Sequence, residues 1–524
     1  MKLVSLLLAL FLLLMPVLYL TACGEETPSP ESEPEQEQTP QEKPPVDPPE
    51  DNPLQPPKDP PVESPHFPNH LPTEGYNGAS FHILEWTVGD QTTAGTSWIP
   101  WEEGDVNEED GDMLASAVFE RNAWVEQNFE VEITKEYAAV NGNPNYFTKV
   151  RGDAGTSNDS YQLLTLRTFE MVTLVEEGLF ADMNDYNQYL HTDSPWWVQD
   201  SVASFTLGSH LYVAATEMLL RDKGATAAMF FNQTLQSDYE DLPDFYELAA
   251  EHEWTLETMI LSCELVAHST DTDDLINSAQ DVWGCTGSDS PVYYLFNSMG
   301  RKFAYVDEDG YISYDFGKGD SIADMKYIFD YVIYADWYMH EGLAGKKILS
   351  DGEDLFVKGN SLFKSGMVKD LTNELKFMTE MYGVLPHPKM SLDQENYSSL
   401  VWEHHDSVLG IPAFAADEEM CAVILEALSW ESYNSVTPVF YDTILLDRMC
   451  KDKESKEMLK IIFDTRSYDP GLYWDGGSGL QGDDGLLRLS AKHSSDISGI
   501  WAQFKDRVEA NIQKVNDWIT DREY

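Results

Sequence analysis

Asp and Glu outnumber Lys and Arg by 92 to 33 in this chain of 524 residues, and a net charge of −59 repels phosphate backbones and excludes nucleic acid as a partner. The same charge argues against direct adhesion to anionic lipid head groups, and it fits solubility in a salty or alkaline exterior better than a ligand preference. Hydrophobic residues make up 42%, enough for two or three compact domains, which excludes a wholly disordered chain.

After Lys2, an apolar run from Leu3 to Leu20 is broken only by Ser5 and Pro16, and the chain turns polar at Gly24-Glu25-Glu26. A positive start, an apolar core and small residues before the break describe an export signal over residues 1–22. The tetrapeptide Leu20-Thr21-Ala22-Cys23 resembles a bacterial lipobox, in which Cys23 is acylated (palmitate) and becomes the new N-terminus. An uncleaved helical anchor is the alternative, since the run is near the length that spans a bilayer. Either reading puts the rest of the chain at the outer face of the bacterial cytoplasmic membrane. Residues 23–75 are rich in Pro, Glu, Gln and Ser and hold most of the 27 prolines. Such a segment buries no core and favours extended polyproline II, so it serves as a tether.

The folded region opens at Tyr76, where the turn signal Asn77-Gly78 precedes an apolar strand up to Trp86. Leu114, Val118, Asn122, Val125 and Phe129 share one face of a helix over 113–129. Glu130 to Thr134 and Tyr161 to Leu166 read as the next strands, and Met171 to Phe180 as a helix ending near Gly178. This alternation indicates α/β layers with parallel strands. Helices are expected over 242–250, 255–267 and 322–338, a hairpin turning at Asp309-Gly310, and strands over 355–364 and 382–386. Asp417 is placed to cap a helix whose stripe is Met420, Val423, Ile424, Ala427 and Leu428. A long amphipathic helix with Ile497, Trp501, Phe504, Val508, Ile512, Val515 and Ile519 on one face closes the chain.

Beyond Cys23, the four cysteines Cys263, Cys285, Cys421 and Cys450 form no zinc pattern. They allow three disulfide pairings and choose none, with buried free thiols favoured at Cys263 and Cys421. Gly477 to Gly482 matches a dinucleotide-loop spelling but lacks a preceding strand and a following helix, so it reads as a flexible loop. The sequence has no HExxH pattern, and a calcium-loop register would place Tyr305 and Phe316 at its ligand ends; neither metal nor cofactor is expected. The carboxylates are too numerous for a catalytic pair to be chosen. The 14 Trp and 26 Tyr are more informative. Trp86, Trp98, Trp101, Trp196, Trp197, Trp402, Tyr473 and Trp474 sit beside Gly, Pro or acids, where a flat ring suits a sugar's C–H face.

The segments Phe119-Glu120-Arg121-Asn122, Pro195-Trp196-Trp197, Gly208 to Val213, Phe230-Phe231-Asn232-Gln233, Glu253-Trp254-Thr255-Leu256, Tyr382 to Pro388 and Glu426 to Tyr433 occur in an order along the chain that resembles extracellular solute-binding proteins of family 1, the carbohydrate-associated receptors of bacterial ABC importers. The resemblance implies a two-lobed α/β fold of the periplasmic-binding-protein type (type 2). Residues 76–213 with 384–428 would form one lobe and 214–383 with 429–524 the other. Crossing segments would lie near Tyr212 to Glu217, Gly383 to Gly410 and Ser429 to Ser435. It implies a monomer, no enzymatic activity, permease subunits as partners and a small solute, a sugar, in the cleft. Carried onto this sequence, the cleft would draw on Trp86, Thr87, Arg167, Thr168, Glu217, Lys364, Ser365, Trp402, Glu403 and His404. A surface glycan-degrading enzyme and a purely sensory receptor remain the alternatives.

Overall fold

The computed structural model describes residues 68–87, 113–141, 145–156, 158–272, 274–288, 290–340, 354–444, 453–474, 479–482, 484–492 and 494–522. The signal segment, Cys23, most of the tether, Trp98, Trp101 and Cys450 lie outside them.

Two sheets form the core. Their strands, in chain order, are β1 (Ala79–Thr87), β2 (Val131–Ala139), β3 (Leu163–Leu166), β4 (Ala227–Asn232), β5 (Trp283–Gly287), β6 (Tyr338–His340), β7 (Ser361–Met367), β8 (Tyr382–Leu385) and β9 (Val408–Gly410). Six of the helices matter below: α1 (Met113–Phe129), α2 (Thr168–Glu176), α3 (Leu256–Val266), α4 (Pro291–Ser298), α5 (Glu418–Glu431) and α6 (Ile497–Thr520). The first sheet runs β9-β3-β1-β2 and the second β6-β5-β7-β4-β8. β1 pairs in parallel with β2 from Ala79↔Val131 to Thr87↔Ala139, and with β3 at Ile83↔Leu163. The chain thus builds three strands of the first sheet, crosses to lay down all of the second, and returns with β9. This is the two-halved α/β plan with crossing segments that the sequence leads one to expect.

The strands are not all parallel, which corrects that expectation. β9 enters antiparallel to β3 (Val408↔Leu166), and both β7 and β8 run antiparallel to β4. β9 arrives from the other sheet and not through a helical crossover from β3, so it is free to join that edge antiparallel.

Element boundaries follow local chemistry. Asn77 and Gly78 adopt φ of 56° and 79°, so β1 begins only at Ala79. The helix expected from Met171 starts earlier, at Thr168, and stops at Glu176 before Gly178 (φ 72°). The strand expected over 355–364 is displaced to Ser361–Met367. Asp354 accepts from the backbone N–H of Phe356 (2.8 Å) and Val357 (3.3 Å), which turns the chain first. The helix expected to reach Tyr338 passes into a π turn over Phe329–Ile333, and Tyr338 instead pairs with Cys285 as the first residue of β6. The 113–129 helix, the hairpin, the Asp417 cap and the C-terminal helix stand as expected, Asp417 accepting from Met420 N–H at 2.9 Å.

Cys263, Cys285 and Cys421 are buried free thiols, and burial raises the Cys263 and Cys421 thiols above their ordinary range. Gly284 explains the tight seat of α3 on β5: a Cβ there would stand 2.5 Å from Cys263 Cβ.

Candidate functional site

A cavity of about 800 Å³ opens where the carboxyl ends of β3 and β5 hand over to helices. Crevices outside strand carboxyl ends are the usual ligand positions in open α/β sheets, and the volume suits a ligand of a few rings. The first sheet contributes α2, through Phe169, Val172, Thr173 and Glu176. The second contributes the start of α4, through Ser290 and Tyr293. Pro291 opens α4 in its first turn, where the missing N–H costs nothing. The passage between β8 and β9 supplies Trp402, Glu403, His404 and His405, and the segment 472–482 supplies Leu472, Tyr473, Gly479, Gln481 and Gly482.

The walls are aromatic. Trp402 and Tyr293 stack with ring centroids 5.1 Å apart and planes 28° apart, and Tyr294 meets the same indole edge-on at 5.8 Å. His404 stands edge-on to Phe169 at 4.5 Å and to Trp402 at 5.3 Å. Such pairs hold ring faces in fixed orientation. The Tyr293 hydroxyl donates to the Gln481 carbonyl at 2.5 Å, tying the 479–482 loop to α4.

Behind the walls, the start of α2 is fastened to the 402–407 passage. Asp406 accepts from Thr168 N–H at 2.9 Å and from the Thr168 hydroxyl. Burial pushes the Asp406 carboxyl up to about 8, although the Thr168 hydrogen bonds oppose the rise. Trp86 Nε1 donates to Ser407 Oγ at 2.8 Å, and its ring lies between the guanidinium groups of Arg167 (4.9 Å) and Arg221 (4.5 Å). Arg167 also covers Phe169 at 4.9 Å and is held by Glu170 through bonds of 2.9 and 2.6 Å. Loss of water lowers His404 to about 4, with Arg167 adding to the effect, and lowers His405 to about 3, with Lys369 next in weight. Both imidazoles are therefore neutral near pH 7 and can donate from one nitrogen and accept at the other.

Of the residues expected in the cleft, Trp402, Glu403 and His404 line the cavity, and Trp86, Arg167 and Thr168 form the layer behind it. The others lie elsewhere. Glu217 sits in a buried ion cluster with Arg466 (2.5 Å), Lys223 (3.2 Å) and the Thr437 hydroxyl (2.7 Å). Burial raises its carboxyl, and the two cations outweigh that and bring it to about 2. It borders a separate cavity of about 530 Å³. Lys364 is paired with Asp354 (2.9 Å) and Glu374 (3.2 Å), and Ser365 Oγ is 2.7 Å from His387 Nε2. Thr87 ends β1, its carbonyl accepting from Val140 N–H at 3.0 Å. Among the other aromatics singled out, Tyr473 lines the cavity, whereas Trp196 and Trp197 each donate to buried Glu426 at 2.9 Å. Phe169, Ser290, Tyr293, His405 and Gln481 escaped the sequence reading. The signal that could have found Tyr293 is the helix start Ser290-Pro291 directly after β5.

No family model matches this chain, and no curated protein matches it. Solved structures do. The ABC substrate-binding protein Lmo0181 of Listeria monocytogenes, in complex with cycloalternan, shares 12% identity over 84% of this chain and 98% of its own, with a TM-score of 0.48. Mycobacterium tuberculosis UspC shares 12% over 82% and 100%, with a TM-score of 0.49. The maltose-binding periplasmic protein MalE of L. monocytogenes, in complex with maltose, shares 13% over 83% and 98%, with a TM-score of 0.49.

Proposed function

We propose that this chain is a membrane-anchored extracellular receptor that binds a carbohydrate, an oligosaccharide, and delivers it to an ABC importer. The observation that carries the reading is the cavity itself. Tyr293, Trp402, Phe169 and Tyr473 are among the residues that line a space shared between α2 of the first sheet and α4 of the second. Aromatic faces take the C–H surface of a pyranose, and neutral imidazoles, a serine hydroxyl and a glutamine amide beside them suit its hydroxyls. In this reading acylated Cys23 holds the chain to the membrane, the tether sets its distance, and the monomer hands its solute to permease subunits without changing it. Contacts made from both sides would favour a closed arrangement over an open one, so the solute would shift that population.

Isothermal titration of the purified chain against a panel of oligosaccharides tests this. Saturable 1:1 heat with at least one of them, and recovery of that sugar intact, is the expected result. Absence of heat with every saccharide, or the appearance of new reducing ends, overturns it.

A further inference from the structure

Residues 68–71, at the end of the stretch whose composition reads as a tether, are packed into the fold. Leu71 is 5% exposed and belongs to the apolar core, and its N–H closes a turn on the Pro68 carbonyl at 3.1 Å. His70 reaches α5, where its Nε2 lies 3.1 Å from Glu426 Oε1. Its ring stacks on His191, with centroids 3.7 Å apart and planes 16° apart, and lies parallel to the Trp196 indole at 6.4 Å. Thr73 and Glu74 are exposed, and the chain is fastened again at Tyr76, whose N–H donates to the Phe129 carbonyl at 2.7 Å.

Glu426 joins this segment to the first passage between the sheets. Its buried carboxylate accepts from the Trp196 and Trp197 indoles at 2.9 Å each and from His191 N–H at 3.4 Å. The two tryptophans are tied in turn to residues 214–217. The Trp196 carbonyl accepts from Glu217 N–H at 2.8 Å, Trp197 pairs antiparallel with Thr216, and Val198 N–H donates to the Ala215 carbonyl at 3.0 Å. α5 meets the same place from its own side, where the Ser429 hydroxyl donates to Thr216 Oγ1 at 3.0 Å. A buried carboxylate shared among several donors holds them in one arrangement, and removing one partner disturbs the rest.

We infer that residues 68–71 form a latch that braces the first passage: His70 docked on Glu426 holds the Trp196–Trp197 pair against residues 214–217, so the segment that enters the fold is coupled to the place where the chain changes sheets. None of the latch residues is among those that line the aromatic cavity, and the inference does not depend on the carbohydrate reading. With the latch shut, the chain that precedes Pro68 joins the fold beside Trp196. With it released, residues 68–75 come away, the joint moves to Tyr76, and the reach grows by about 25 Å. Coupling of this kind is reciprocal, so a rearrangement of the passage changes the hold on His70 by the same factor.

The test is hydrogen–deuterium exchange of the full chain without ligand, comparing the wild type with two variants of the partly exposed His70. His70→Ala should speed exchange at residues 69–76 and, with it, at the Val198 and Glu217 amides by about threefold or more, while α6 keeps its rate. His70→Gln, whose amide can donate to Glu426 in place of Nε2, should bring the Val198 and Glu217 amides back towards the wild-type rate. Faster exchange confined to 69–76 in His70→Ala, or no change anywhere, overturns the coupling. So does a rise spread equally over α6, which reports general loss of stability, or a His70→Gln variant that behaves like His70→Ala.

Discussion

Trp402 joins the two jobs a binding residue can have. Its indole is almost fully buried, stacked on Tyr293 and edge-on to His404, yet it also faces the cavity. Trp402→Ala should therefore weaken saccharide binding by about tenfold or more through the lost stacking surface. It should also lower stability by about 3 kcal/mol, so affinity and urea midpoint need measuring together. Asp406 makes a different kind of prediction. Its carboxyl moves from an ordinary 3.8 to about 8 in the folded chain, so the folded state holds a proton that the unfolded state has released. Its contribution to stability is complete below about pH 4 and is lost as pH rises towards about 8. Asp406→Asn keeps an acceptor for Thr168 N–H and offers an amide donor to the Thr168 hydroxyl. The variant should show a flatter dependence of melting temperature on pH across that window, and an unchanged slope would show that Asp406 is ionised in the fold.

The passages between the sheets are held by charge as much as by packing. Arg466 lies in a two-residue strand, Arg466–Ser467, that pairs with Ser399–Leu400 of the return passage. Its guanidinium donates to Asp222 Oδ2 (2.7 Å) and Glu217 Oε1 (2.5 Å), next to the first passage. Thr437, beyond α5, donates to the other Glu217 oxygen at 2.7 Å. One buried cluster thus fastens three separate stretches of chain where they leave one sheet for the other. Arg466→Ala would leave Glu217 and Asp222 buried with Lys223 as the remaining cation of the cluster, and urea denaturation should show a loss of about 3–5 kcal/mol. A loss below about 1 kcal/mol would mean that water or relaxation replaces the guanidinium and that the cluster is not what holds the passages. Arg466, Glu217 and Asp222 are not among the residues that line the aromatic cavity, so ligand affinity in Arg466→Ala that is still folded should change less than in Trp402→Ala.

For the molecule as a whole, elements with a strong apolar period could be read from the sequence, and features made by distant partners could not. The 113–129 and C-terminal helices and the Asp417 cap are local, written in spacing and capping chemistry, and the structure has them where the periodicity puts them. The antiparallel entry of β9 depends on which edge is free when the chain returns, a fact no window of residues contains. The cavity divides in the same way. Trp402 and Tyr473 stood out because they sit beside polar neighbours, but Tyr293 lies on α4 among Val292, Tyr294, Leu295 and Phe296, all buried, and looks like core. Glu217 and Lys364 looked like cleft residues by position; Glu217 is instead held in a buried ion cluster, and Lys364 is paired with Asp354 and Glu374. With 14 Trp, intrinsic fluorescence would not say which wall a ligand touches, whereas amide exchange would. The most direct measurement is hydrogen–deuterium exchange of the full chain with and without a saturating oligosaccharide. Slowed exchange is expected at 168–176, 290–298, 401–406 and 479–482 together. Protection confined to the neighbourhood of Glu217 and Arg466, or at one side of the cavity alone, would contradict a saccharide held between the two sheets.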